Sequence, residues 1–147
     1  MLAPMKRISL WIATVASLLV ALGVFVQVYL ITSYVTGAGE DALDAHGFLG
    51  FAIIHPLELF VFLAGLAAWW GAWRWVGLAF LLIVLGTVQI FLAPPDEDPA
   101  SGWVHGLHGL FALFVMVLAA VIFHHGKKQL KRGPASPAGA APPQPLP

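Results

Sequence analysis

The stretch DALDAHGFLGFAIIHPLELF, residues 41–60, sets His46, His55 and Glu58 inside a run that is otherwise apolar. A second stretch, GWVHGLHGLFALFV at residues 102–115, repeats the pattern with His105 and His108. Ionisable groups inside a membrane helix are costly and mark functional sites by default. The reading therefore turns on whether these runs cross a membrane and whether their polar groups meet.

Composition answers the first question. The chain has 147 residues, 60% hydrophobic and only 10% charged, too apolar for a soluble domain of this size to bury. Four runs reach the roughly 20 residues that a spanning helix needs. They are read as residues 8–34, 45–70, 75–93 and 102–125, giving an all-α, four-helix transmembrane domain over residues 1–132. The first run is longer than the roughly 7–15 apolar residues of a secretory signal, so it is read as a spanning helix. Pro94 and Pro95 end the third helix, because proline offers no backbone N–H. The tail GPASPAGAAPPQPLP, residues 133–147, has nothing to bury and is expected to be a disordered cytoplasmic segment.

Charge orients the bundle. Lys6, Arg7, Arg74, Lys127, Lys128, Lys131 and Arg132 fall on one side if both termini are cytoplasmic, while Glu40, Asp41, Asp44, Asp96, Glu97 and Asp98 fall on the other. This obeys the positive-inside rule and implies a multi-pass protein of the cell inner (plasma) membrane. Trp69, Trp70, Trp73 and Trp75 at the inner turn and Trp103 at the outer one are expected to anchor the two interfaces. Zero net charge argues against nucleic acid as a partner; the partners implied are the lipid bilayer and other membrane components. The absence of cysteine excludes disulfides, thiolate metal sites and thioether-linked haem.

Depth follows from helical rise. His55 lies 19 residues from Arg74, and His108 lies 19 from Lys127. At about 1.5 Å per residue, each stands about 28 Å from its inner anchor. With His46, His105, Gln27 and Gln89, they gather in the outer half of the bundle and leave the inner half almost pure hydrocarbon. Plain structural readings exist for each group. Gln27 and Gln89 suit interhelical hydrogen-bonding, worth about 0.6–2 kcal/mol each. Glu58 is placed to bond His55, three residues back on one face. His124 and His125 are expected to be solvated at the inner boundary beside Lys127.

The chain also echoes itself. VQVYL at 26–30 matches VQIFL at 88–92, and the same offset lays His46-Gly47 on His108-Gly109. A second alignment, with a three-residue gap, lays HGFLG on HGLHG and matches His46 to His105. Two helical hairpins of one design, related by a pseudo-two-fold axis along the membrane normal, would turn helices two and four toward each other. Facing imidazoles in a bundle core are a bis-histidine setting for haem b, which needs axial ligands, a slot and apolar walls. Gly50, Gly109 and Ala112, each four residues after a histidine, would let the ring approach the backbone. Phe48, Phe51, Phe60, Phe91 and Phe111 are candidate walls.

The run VQVYL…DALDAHGFLGF…VQIFLAPP…VHGLHGLFALF, over roughly residues 15–125, resembles an uncharacterised family of small four-helix bacterial membrane proteins. It is also similar to one four-helix half of haem A synthase. That resemblance implies haem ligation by His46 and by His105 or His108, with Gln27 and Gln89 near the pocket. The chain departs from that enzyme in having one half, and in carrying Leu43 where the enzyme has a glutamate three residues before the helix-two histidine. Haem binding, rather than haem A synthesis, is what the resemblance implies.

The helix-two ligand stays open at this stage. His46 and His55 are nine residues apart, half a revolution around an ideal helix, so both are not expected to face one iron. Depth favours His55; the repeat and the resemblance favour His46. The expected pair is His46 with His108, with His105 and His55 as alternatives and Glu58 as a proton or quinone contact. The function expected is electron transfer or redox sensing by a b-type haem protein, with a quinone or redox partner and a homodimer or larger complex within reach. The alternatives are a structural or assembly subunit of a membrane complex, or an imidazole copper or zinc site that again uses His46 and His108.

Overall fold

A computed structural model describes residues 3–93 and 102–132. These residues are helical throughout, joined by short turns: α1 (Ala3–Ser33), α2 (Glu40–Phe48), α3 (His55–Ala68), α4 (Trp73–Phe91) and α5 (Gly102–Lys131). α1 runs on through a wide π-turn, Tyr34–Ala38, and ends at Gly37 and Gly39, whose φ of 99° and 90° only glycine adopts without strain. A second π segment, Leu49–Ile54, welds α2 to α3, so that Glu40–Ala68 is one continuous rod. Gly71, at φ 88°, makes the turn into α4.

The four rods so formed are each long and apolar enough to cross a membrane. They are longer than expected at several ends: α1 begins at residue 3 rather than 8, and α5 continues to 131 rather than 125. Lys127, Lys128 and Gln129 continue α5 because lysine and glutamine are good helix formers whatever their polarity. Pro94, Pro95, the acidic cluster Asp96–Asp98 and the proline-rich tail lie outside the described residues.

α1 packs on α5 and on α3, and α4 packs on α3 and α5. The rods therefore form a square in chain order, with α2–α3 diagonally opposite α5. The contacts are close because the residues are small. Ala13, Ala16, Val20, Ala119 and Ile122 are all but buried, and Thr14 lies so near Gly126 that a Cβ there would overlap its hydroxyl. Thr14 and Ser17 return their hydroxyls to the backbone carbonyls of Leu10 (2.6 Å) and Thr14 (2.9 Å), which satisfies both without a water. Large apolar side chains point the other way: Phe25, Tyr29, Phe60, Leu63, Phe80 and Phe114 are more than half exposed. Small groups inside and bulky apolar groups outside is the distribution that helix association in lipid favours.

The basic end is closed by aromatic packing. Trp69 Nε1–H donates to Gln129 Oε1 (2.9 Å), and Gln129 Nε2 donates to His125 Nε2 (3.0 Å). The His125 ring stacks on Trp75 with centres 3.3 Å apart and planes 10° apart. Two expectations are corrected here. His125 is not a solvated interface residue, although its neighbour His124 is exposed. Of the inner tryptophans only Trp70 and Trp73 face outward; Trp69 is 2% exposed and belongs to the core. One turn of helical phase makes the difference: Trp69 follows Gly65 by four residues and lies on its missing side chain.

Candidate functional site

The other end of the bundle is open. A cavity of about 750 Å³ runs down from the α1–α2 turn, with Ile31, Tyr34 and Leu43 near its mouth and Val24, Glu58, Gly86 and Val115 at its floor. Its size is that of a small-molecule or cofactor site, about 300–1,000 Å³. All four rods contribute walls, and most of the surface is apolar.

His46 and His108 face each other across this space. Their ring centres are 6.1 Å apart and their planes are inclined at 51°. Each is held the same way: His46 Nδ1–H donates to the Gln27 carbonyl (3.2 Å), and His108 Nδ1–H donates to the Gln89 carbonyl (3.0 Å). A carbonyl oxygen can only accept, so both protons sit on Nδ1, and neither Nε2 lone pair has a partner among the described residues. A backbone carbonyl on the far nitrogen is the common way in which a metal-binding histidine is oriented and its tautomer set. Both contacts span 19 residues. The glutamine backbone of one rod thus fixes the histidine of the next, and does so twice, 62 positions apart.

One metal ion between two imidazoles would set the ring centres about 6 Å apart, from two metal–nitrogen bonds of about 2.0–2.1 Å and the depth of each ring. The observed separation has that size. Gly47 and Gly109, each directly after a histidine, line the cavity with nothing within 4 Å of where a Cβ would stand. The Oε1 atoms of Gln27 and Gln89 are buried without a hydrogen-bond partner among the described residues. Buried polar atoms are rarely left so, and each such atom points to a missing water, ion or ligand. Among the described residues it is the backbone carbonyls of the glutamines that tie the rods to the histidines.

His55 does not pair with His108. Its Nδ1 lies 3.0 Å from Glu58 Oε2, as the three-residue spacing implies, and Glu58 is 1% exposed. Depth counted from basic residues misled because Arg74 lies in the helix after the turn, not at the end of α3. Counted from the helix ends, His46 precedes Ala68 by 22 residues and His108 precedes Lys131 by 23, and the two are level.

His46 and His55 both line the cavity, although nine residues of ideal helix would set them half a revolution apart. The π segment between them is the cause. Pro56 has no N–H to give and its ring presses on the preceding turn, so the helix widens before it and His55 N–H bonds Gly50 O, five residues back.

Gly50 and Ala112 line the cavity, but Gly50 is covered by Gln27, whose Nε2 would stand 2.6 Å from a Cβ there. Of the five phenylalanines expected as walls only Phe51 lines the cavity, and it is itself largely exposed, like Phe48, Phe60 and Phe91; Phe111 packs edge-on with Phe114. His105 lies on α5 one turn before His108, and its side chain falls outside what the structure describes. The width of the turn before Pro56 and the twin carbonyl acceptors were the features that residue patterns did not give. Among the described residues no three histidine, aspartate or glutamate side chains converge as a metal cluster. Comparison with family models, curated proteins and solved structures found no match for this chain.

Proposed function

We propose that this chain is a membrane-embedded b-type haem protein in which His46 and His108 supply both axial ligands. The observation that carries the reading is the 6.1 Å separation of two imidazole rings whose Nδ1 atoms are both bound to backbone carbonyls. Haem brings four ring nitrogens of its own and asks only two of the protein, which suits a site of two imidazoles better than copper or zinc, whose sites draw three or four protein ligands. Apolar walls, the open faces of Gly47 and Gly109, and the unpartnered glutamine oxygens agree with a flat, largely apolar guest carrying polar groups at its edge.

In this reading the four rods insert in the plasma membrane with both termini cytoplasmic, and the haem lies in the outer half. A haem with both axial positions filled by protein has no vacant position for a substrate, so its chemistry is one-electron transfer or redox sensing, with a quinone or another redox partner. The absorption spectrum of protein purified from haem-replete cells tests this. A red protein with sharp, low-spin bands on reduction supports the reading. A colourless protein that takes up no haem on reconstitution overturns it and leaves a structural or assembly subunit, whose histidines only tie helices together.

A further inference from the structure

We propose that His55 and Glu58 form a proton site that exchanges with the acidic mouth of the cavity alone, and that it takes up a proton when the guest in the cavity gains an electron. The coupling to an electron rests on the haem reading; the proton site and its sidedness rest on the fold alone.

Glu58 is a carboxyl group buried in a rod apolar enough to cross a membrane, and among the described residues its one hydrogen-bond partner is His55. A structural bond between two rods does not explain it, because both residues are on the same helix. The opposing rod accommodates the carboxyl with Gly86, where any Cβ would overlap it. Space has been left for this group and no partner supplied across the interface. From α1 the walls near it are Val24 and Gln27, from α4 Gly86 and Gln89, and from α5 Ala112 and Val115. None of these titrates. The other titratable groups lining the cavity are His46 and His108, toward the mouth, and Tyr34 at the mouth itself. The pair His55–Glu58 thus holds a proton between Nδ1 and Oε2 with no fixed positive charge beside it.

The way in is one-sided. Glu58 and His55 line the cavity that opens at the end carrying Glu40, Asp41 and Asp44. On the other side of Glu58 the bundle is closed by Val20, Val61, Leu82, Ala119 and Ile122, each 0% exposed. No hydroxyl or amide interrupts that layer before Ser17. A negative charge added to an apolar cavity is opposed by the low dielectric, and uptake of a proton nearby offsets it. Reduction would add that electron, and the proton would come from the mouth side to the His55–Glu58 pair, leaving the cavity charge unchanged.

The test is the midpoint potential of the haem-loaded protein in liposomes as a function of pH. One proton per electron makes the potential fall with rising pH by about 59 mV for each tenfold change in proton concentration. Wild type should show this slope over part of the range and follow the pH on the mouth side only. Glu58→Gln, and independently His55→Gln should the first variant fold poorly, should flatten it. A potential independent of pH in wild type, or the same slope in all three proteins, overturns the coupling. Protein without haem tests the site separately. The infrared carboxyl band that Glu58→Gln removes should shift on transfer to D2O, and a band that does not shift overturns the proton site whatever the cavity holds.

Discussion

His46 and His108 stand on diagonally opposed rods with their rings 6.1 Å apart, and each is steered by the backbone carbonyl of the glutamine 19 residues before it. A helix carbonyl normally accepts from its own helix; here Gln27, within α1, and Gln89, in the last turn of α4, each take a donor from a neighbouring rod. That arrangement depends on backbone position rather than on the glutamine side chain. It orients an imidazole without spending a polar side chain on the task, which leaves the Gln27 and Gln89 amides to the cavity.

Replacement of either histidine should therefore be visible in the spectrum. His108→Ala and His46→Ala are each expected to lose haem or to leave a five-coordinate, high-spin iron that binds carbon monoxide. His55→Ala should keep the low-spin spectrum, and so should His124→Ala, which lies about 24 Å from His108 along α5. Optical spectra with and without carbon monoxide read all four. Unchanged low-spin bands in both His46→Ala and His108→Ala would remove this pair as the ligands.

Two glycines should behave in opposite ways. Gly86→Ala drives a methyl group into the Glu58 carboxylate, with no room to yield in a core this tight, and is expected to cost about 1–3 kcal/mol. A Cβ at Gly109 meets nothing within 4 Å, so Gly109→Leu should leave the fold intact while filling the slot beside His108. Thermal unfolding in detergent measures the first effect and haem uptake the second. Equal stability losses in the two variants would contradict the cavity at Gly109.

The basic end has its own signature. Gln129→Leu leaves the buried Trp69 N–H without an acceptor and is expected to destabilise by about 1–3 kcal/mol. It should also change the tryptophan emission, because His125 loses the donor that holds it against Trp75. Gln129→Glu retains an acceptor for Trp69 and should recover much of the emission. Fluorescence during unfolding follows both variants.

Orientation is tested by fusions. Reporters placed at Gly39 and Ala100 should register outside the cell, and one after Arg132 inside, because every lysine and arginine lies at one end of the bundle. An outside signal at the C-terminus would invert the sidedness of the cavity.

What the residues alone determined is the class of structure and the end at which most of its buried polar groups gather. Apolar run length defined four helices because hydrocarbon content and helical rise are local properties. The polar census placed histidines, glutamines and Glu58 toward one end for the same reason. The 62-residue echo of Gln27 and His46 in Gln89 and His108 named the pair that the fold brings together, since an equal spacing along two helical hairpins implies an equal contact in each.

Only the tertiary structure decided the rest, and the reason is helical phase. Whether His46 and His55 share a face depends on how the turn before Pro56 widens; the proline marks the place where phase can change, but the π segment that changes it is an adjustment of backbone bonding seen only in the fold. Relative depth failed for a related reason: a basic residue marks the neighbourhood of an interface, not the last turn of its helix. The choice of backbone carbonyls over glutamine side chains as acceptors, the burial of Trp69 and the stacking of His125 on Trp75 each depend on an interaxial approach of a few ångströms. Sequence spacing sets which residues lie on a helix face; the packing of small residues between the rods sets how near those faces come, and that distance brings the two histidine rings face to face.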